Sequence, residues 1–320
     1  MAFSEWIYLC PMYYIVLGLL YLFSFLPLWV IYRISDGISF VLTYMVRYRR
    51  AVLMKNLSIA FPEKTQSEKE KIIKKFYRNF TDNFLEAIKL LSMPEKSLRK
   101  RVQFDPAIFR ELYATGKSCQ VMLGHNFNWE WVNVRVTREL LYPFLVVYMP
   151  IGSKLVDRLF KHFRERMGSI LLPATQMREA MMPYRNTQYL LALVADQNPG
   201  KPEKSYWINF FGKMTPFVSG PEKNARFNNI PVVFARFYKP KRGYYIVETK
   251  LASLTPRDLK DGELTLQYVR YLEEVIRRQP EDYLWSHNRW KFDYKEEYAK
   301  WKVEDGELQV NKQWAMGNET

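Results

Sequence analysis

The sequence predicts an α/β sandwich built around a mostly parallel sheet, preceded by an N-terminal membrane-anchoring helix. Short apolar runs alternate with helical stretches through most of the chain, the pattern of a parallel sheet covered by helices. A long charge-free segment opens the sequence. Of the 320 residues, 48% are apolar and 25% charged, a composition that excludes a disordered or low-complexity chain.

The run from Trp6 to Tyr32 holds 27 residues without a charge, between Glu5 and Arg33. As one helix it would measure roughly 40 Å, enough for a bilayer core of roughly 30 Å. Trp6 and Tyr8 near one end, with Trp29 and Tyr32 at the other, fit a pair of aromatic belts. The leader lacks the positive charge and the small-residue cleavage site of a secretory signal. Pro11 and Pro27 would each kink or end a helix, so a tilted span and an interfacial hairpin are both compatible. Arg47, Arg49, Arg50 and Lys55 follow a second, shorter apolar run, and positive flanks place the rest of the chain on the cytoplasmic side.

The formal net charge is +15, from 48 Lys and Arg against 33 Asp and Glu. Residues 33–101 alone carry 16 basic against 7 acidic residues. Placed directly after an anchor, that excess suits an acidic membrane or an acidic ligand. No helix-turn-helix, zinc-finger or RNA-binding signature accompanies it, which argues against nucleic acid. Two cysteines exclude a disulfide framework, and three histidines argue against a multi-ligand zinc site.

A helix is expected from Ser67 to Leu91, opened by Thr65 or Ser67 and closed before Pro94, with Phe76, Phe80, Phe84 and Ile88 as its core stripe. Buried strands are expected at 119–123, 143–149, 188–195, 230–237 and 244–251, the last two linked through Lys239–Gly243. Helices fall near 153–167, 175–183, 221–228 and 261–279. The division this suggests is an anchor and basic juxtamembrane segment over 1–50, one catalytic domain over 51–295, and a tail over 296–320.

Familiar catalytic motifs are absent. Gly116-Lys117-Ser118 resembles half a phosphate loop, yet Glu111 replaces the first glycine and a strand follows instead of a helix. Cys119 sits in an apolar strand, where a thiol packs and does not react. The informative stretch is Gly124-His125-Asn126-Phe127-Asn128-Trp129-Glu130, directly after a predicted strand, where α/β enzymes hold ligands. Five residues apart, His125 and Glu130 do not share a helical face. The geometry that joins them puts His125 on the loop and Glu130 in the first turn of the next helix, turned back onto the imidazole. A histidine so oriented is a general base able to deprotonate a hydroxyl directly. The alternative is a structural histidine beside a strand.

His125-x-x-x-x-Glu130 within this stretch resembles the first block of the late lipid A acyltransferases of Gram-negative bacteria, members of a wider glycerolipid acyltransferase superfamily. Further blocks agree in order: Asn56 through Phe61-Pro62-Glu63, Arg164-Glu165-Arg166-Met167-Gly168, Asp196-Gln197-Asn198-Pro199-Gly200, Phe210-Phe211-Gly212, and Pro280 through Lys291. The resemblance implies that His125 is the base and Glu130 its orienting partner, with Arg164 or, preferably, Arg166 and Asp196 completing a substrate site. The arginines' alternative is an exposed helix face. Asn128 is placed with the substrate, although it and Phe127 fall at variable positions and do not define the acceptor. His287 and Trp290 are expected to be structural, and His162 to lie at the surface. The implied reaction carries a fatty acyl chain from acyl carrier protein or acyl-CoA to a hydroxyl of a lipid A precursor at the inner membrane, with no covalent enzyme intermediate and no metal or organic cofactor. An aminolipid or lysophospholipid acceptor would need the same chemistry. A thioester hydrolase and a non-catalytic membrane tether for an acidic partner are the readings from other classes.

Overall fold

The apolar N-terminal segment bends back instead of running straight. The computed structural model describes residues 3–165, 168–295, 301–304 and 307–310. In it, helix α1 (Phe3–Ser24) stops ahead of Pro27, and α2 (Leu28–Phe40) leaves at a bend of 114°, continuing into a π-helical stretch over Val41–Val46. Pro27 is the cause, since proline cannot extend the preceding helix and pushes the residue before it out of helical geometry. The expected single span is corrected accordingly. Among the described residues no single helix is long and apolar enough to cross a membrane, whereas the pair Pro11–Ser24 and Leu28–Val46 is so when taken together. Met12, Leu19, Leu22, Phe25 and Trp29 stay exposed along this pair. The side chains of Trp6 and Tyr8, expected in an aromatic belt, lie outside the described residues. The ammonium of Lys89 donates to the carbonyls of Ser24 and Leu26 at 2.7 and 3.0 Å, tying the elbow to the body of the protein.

Next come α3 (Arg50–Ala60), α4 (Gln66–Lys89) and α5 (Glu95–Arg101), then β1 (Val102–Phe104), α6 (Ala107–Ala114), β2 (Cys119–Leu123), α7 (Trp129–Thr137), β3 (Phe144–Tyr148), α8 (Lys154–Glu165), β4 (Ile170–Pro173), α9 (Met177–Met181) and β5 (Leu190–Val194). The hairpin β6 (Tyr206–Phe210) and β7 (Lys213–Phe217) precedes α10 (Gly220–Asn228), β8 (Val232–Lys241), β9 (Tyr244–Ser253), α11 (Glu263–Arg278) and a last pair, β10 (Trp301–Glu304) and β11 (Glu307–Val310). Seven strands form one sheet in the order β1-β9-β8-β2-β5-β3-β4, in which only β8 and β9 run antiparallel. The five strands read from the sequence all lie in it. Short β1 and β4 extend its edges, and the four-stranded sheet β11-β10-β6-β7 stands apart from the sequence expectation.

Period-two alternation puts the sheet between two cores. Met122, Val232 and Phe234 pack with Ile73, Phe76 and Leu272 on one face. Cys119, Val121, Ala192, Val233 and Ala235 pack with Trp131, Val134 and Phe109 on the other. The Arg242-Gly243 turn joins β8 to β9, and Gly243 has φ of 76°. A side chain there would also collide with the Tyr32 hydroxyl.

Helix α4 opens as expected: Thr65 and Glu68 form a reciprocal capping box. Its core stripe differs from the expected one. Phe76 is fully buried, but Phe84 is 42% exposed. The buried face of the second half is polar, made of Asn79, Asp82, Asn83 and Glu86. Asp82 accepts from Ser35 Oγ at 2.7 Å and from the Arg242 guanidinium at 2.6 to 3.2 Å, and pairs with Lys239 at 3.5 Å. Arg242 also reaches Asp36 at 2.8 Å. One carboxylate therefore joins α2, α4 and the β8–β9 hairpin. Removing one partner of a buried ion pair leaves the others desolvated and uncompensated, so Asp82→Ala is expected to lower stability by about 3–5 kcal/mol. Thermal unfolding in detergent would register this as a clearly lowered midpoint, and a change near zero would contradict the network's role.

Candidate active site

Strand register brings the two critical side chains together. Strands β2 and β5 are parallel neighbours with Leu123 opposite Val194, so His125 and Asp196, each two residues farther on, emerge side by side at the carboxyl end of the sheet. Asp196 Oδ1 lies 2.6 Å from His125 Nδ1, and Oδ2 accepts the backbone N–H of His125 at 3.0 Å. One carboxylate thus clamps the residue by ring and main chain. Because the carboxylate only accepts, Nδ1 carries the proton and Nε2 keeps its lone pair. Burial by itself would raise the Asp196 carboxyl, but the His125 charge and both hydrogen bonds outweigh it and hold it below the ordinary carboxylate range.

The loop between β2 and α7 is braced from the far end of the chain. Phe127 N donates to Asp282 O and Leu284 N to His125 O, both at 3.1 Å, while Asn126 and Tyr283 form an antiparallel bridge. Gly124 is closely packed: a Cβ there would meet Leu272 Cδ1 at 2.7 Å, so the leucine would have to shift. On the other side of the site, Asn198 donates its backbone N–H to His287 Nε2 at 3.1 Å and its amide to Asn288 O at 2.7 Å. Its oxygen accepts from Arg289 at 2.9 Å. Arg289 is wholly buried, stacked on Phe217 with its charge 4.2 Å from the ring centroid, and burial lowers its pKa to about 10. His287 thus holds the chain beyond Asp196, and Trp290 is buried.

Glu130 differs from expectation in its hydrogen-bond partner and not in its place on the chain. It stands in the first turn of α7, as expected, but the imidazole Nδ1–H donates to Asp196, while Glu130 Oε1 accepts from the Trp129 indole at 2.9 Å. Trp129 in turn meets His125 edge to face, the ring centroids 6.0 Å apart. Glu130 is buried and lines the same cavity as His125. Asn128, expected at the substrate, is fully enclosed and given over to structure. Its Oδ1 accepts the backbone N–H groups of Glu130 and Trp131, and its Nδ2 donates to Glu86. Arg164 belongs to α8, but its side chain lies outside the described residues, as does all of Arg166. His162, expected at the surface, is half-buried and edge-on to Tyr13.

Sequence reasoning did not select Gln197, whose amide nitrogen lies 3.3 Å from His125 Nε2. Its place in the Asp196-Gln197-Asn198 block was the available signal. His125, Glu130 and Gln197 border a cavity of about 530 Å3 between the sheet and α7, walled by Val121, Val136, Phe144, Ala192 and Phe237 and reaching Phe160 and Lys161 of α8. Its lining is overwhelmingly apolar and its size suits a small lipophilic ligand. A polar reaction centre therefore sits on the wall of an apolar chamber. Among the described residues no group of three or more His, Cys, Asp or Glu side chains is arranged to hold a metal ion.

Comparison with known proteins gives the family. The profile of the bacterial lipid A biosynthesis acyltransferase family matches residues 2–292. A lipid A biosynthesis acyltransferase of Haemophilus influenzae is 22% identical over 290 residues, covering 89% of this chain and 90% of its own. Two Escherichia coli K12 enzymes are similar as well. The lipid A biosynthesis lauroyltransferase is 23% identical over 86% of this chain and 90% of its own, and the palmitoleoyltransferase 21% identical over 89% and 93%. With the family profile running from the first helix to the strap that braces the histidine loop, the chain belongs to the bacterial lipid A biosynthesis acyltransferases and is a transferase.

Proposed function

We propose that this enzyme moves a fatty acyl chain from a thioester, carried on acyl carrier protein or coenzyme A, to a hydroxyl of a lipid A precursor. The acceptor is a phosphorylated, partly acylated glucosamine disaccharide held at the cytoplasmic face of the inner membrane. The observation that carries the reading is a histidine with a fixed Nδ1 tautomer, opening onto an apolar cavity. His125 Nε2 takes the acceptor hydroxyl proton as the oxygen attacks the thioester carbonyl. The tetrahedral oxyanion collapses, the C–S bond breaks, and the imidazolium returns the proton to the departing thiolate. Asp196 stabilises the imidazolium, the role that the family resemblance implies for Glu130. Glu130 acts at one remove, through the indole it fixes against the imidazole. The Gln197 amide stands beside the reacting atoms as a neutral donor. No covalent enzyme intermediate is required.

The apolar cavity takes the acyl chain. An arginine of the Arg164–Arg166 pair takes an acceptor phosphate or the oxyanion. The bent α1–α2 pair, with its exposed apolar face, enters the membrane, and the basic excess of residues 33–101 lies against anionic headgroups. Both candidate donors are acidic and suit a chain of net charge +15.

The wild type and His125→Ala, expressed in a Gram-negative strain lacking its late lipid A acyltransferases, test the reaction by lipid mass spectrometry. One added acyl chain on lipid A is expected with the wild type and none with the variant. A chain gained by another lipid keeps the mechanism and changes the acceptor. Thiol release without any acceptor would point to a hydrolase, and inactivity with every donor to a tether.

Asp196→Asn preserves shape, but its single amide oxygen cannot accept from both the ring and the backbone N–H of His125 and carries no charge to support the imidazolium, so kcat is expected to fall by about 10²–10⁴-fold. Steady-state rates on a thioester donor would read this. Acid should weaken the fold through His287. Burial, and then the Arg289 charge, lower the pKa of His287 from the ordinary 6.5 to about 4. A depressed value means the neutral form is the native one. Stability from this contact is complete above about 6.5 and drains away as pH falls through about 4. His287→Gln, which still accepts from Asn198 N, should show a smaller fall in unfolding temperature between pH 7 and pH 4 (about one acid-sensitive contact fewer) than the wild type.

A further inference from the structure

The buried carboxylate of Glu86 takes no part in the reaction as written, yet it accepts from Asn128, on the loop that carries His125. We infer that Glu86 is a positioning residue: it fixes the Asn128 amide so that Asn128 caps α7 and sets Trp129 and Glu130 against His125. The inference rests on reading His125 as the catalytic base.

Asn128 Oδ1 accepts from Glu130 N at 3.1 Å and from Trp131 N at 3.2 Å. Backbone N–H groups can only donate, so the oxygen end of the amide must face α7 and the nitrogen end must face away. What it faces is Glu86 Oε2, at 2.7 Å. A flipped amide would set an oxygen against that carboxylate and two N–H donors against the helix start, so Glu86 excludes the flip. The carboxylate is itself held, by the Tyr245 hydroxyl on Oε2 at 2.6 Å and the Tyr32 hydroxyl on Oε1 at 2.7 Å. The Trp131 indole donates to Glu86 O at 2.7 Å, fastening α7 to α4 a second time. Glu86 and Asn128 are both fully buried, beyond the reach of bulk water that could replace a lost partner. The arrangement also holds whatever the protonation of Glu86. Oε2 accepts from both Asn128 and Tyr245, and a proton on Oε1 would leave that side unchanged.

The amide and the carboxylate can be exchanged, which gives a test. In Glu86→Gln the side-chain oxygen still meets Asn128 Nδ2, while the new NH2 faces the Tyr32 hydroxyl, which can accept. Asn128→Asp sets one carboxylate directly on another. In the double variant Glu86→Gln/Asn128→Asp the glutamine NH2 donates to the introduced carboxylate, which still caps α7. The measurements are kcat and KM on an acyl carrier thioester with a lipid A precursor, at pH 8, using full-length protein in detergent. Hydrogen exchange of the peptide spanning residues 126–137 and the unfolding temperature accompany them. Glu86→Gln is expected to lose less than about tenfold in kcat, and Asn128→Asp at least about thirtyfold with faster exchange in that peptide. The double variant should recover to within about tenfold of wild type, with donor KM changed by less than about threefold throughout. Rescue of kcat, or of folding if Asn128→Asp fails to fold, supports the role. Wild-type behaviour of Asn128→Asp, or a double variant as impaired as Asn128→Asp, overturns it. If His125→Ala keeps full activity, the catalytic reading fails on its own, and the exchange data still report whether Glu86 holds the α7 cap.

Discussion

The clamp of Asp196 on His125 is the interaction around which the rest is arranged. A carboxylate that grips both the ring and the backbone N–H removes two freedoms at once, the tautomer of the imidazole and the path of the loop carrying it. Each neighbouring feature preserves that geometry. The strap of residues 282–284 pairs with the loop on its outer side. Asn198, held by His287, Asn288 and Arg289, fixes the chain just beyond Asp196. Leu272 packs closely over position 124, where a side chain would have to displace it. A general base gains from such preorganisation because no rotation has to be frozen as the proton moves.

Burying charge carries a cost that this fold meets locally. The inner face of α4 places Asp82 and Glu86 wholly out of water, where an ionised group is unfavourable without partners. Hydrogen bonds and cations from α2, β8, β9 and the α7 cap supply them. Apolar residues of similar size would fill the same space, so the gain lies in directionality. A hydrogen-bonded carboxylate fixes the register of four elements in a way that a greasy contact does not.

Much of the sheet was legible because buried parallel strands are short apolar runs: the run expected at 119–123 is the strand Cys119–Leu123. Strands β1 and β4, of three and four residues, carry too little pattern to be seen. The hairpin around Phe211-Gly212 was noticed as a motif and not as a turn, although both residues take positive φ. The site divided similarly. His125 and Asp196 stood out as polar residues at the ends of apolar strands. Their partnership did not, because neighbouring strands in a sheet need not be neighbours in sequence, and Leu123 meeting Val194 is a fact of topology. Glu130 drew attention through its place in the His-x-x-x-x-Glu block and the family resemblance that block carries. On α4, aromatic periodicity suggested Phe84 for the core, while the buried positions went to acids and amides that sequence patterns assign to solvent.

The elbow of the first two helices makes the N-terminal segment something other than a detachable tether. Tyr32 hydrogen-bonds to Glu86, Ser35 to Asp82, and Asp36 pairs with Arg242. A shortened chain beginning after residue 50, made in the hope of a more soluble enzyme, would carry away those donors and strand two acidic groups in the interior beneath the histidine loop. The N-terminal segment and the catalytic body share one polar core, and engineering the first means redesigning the second.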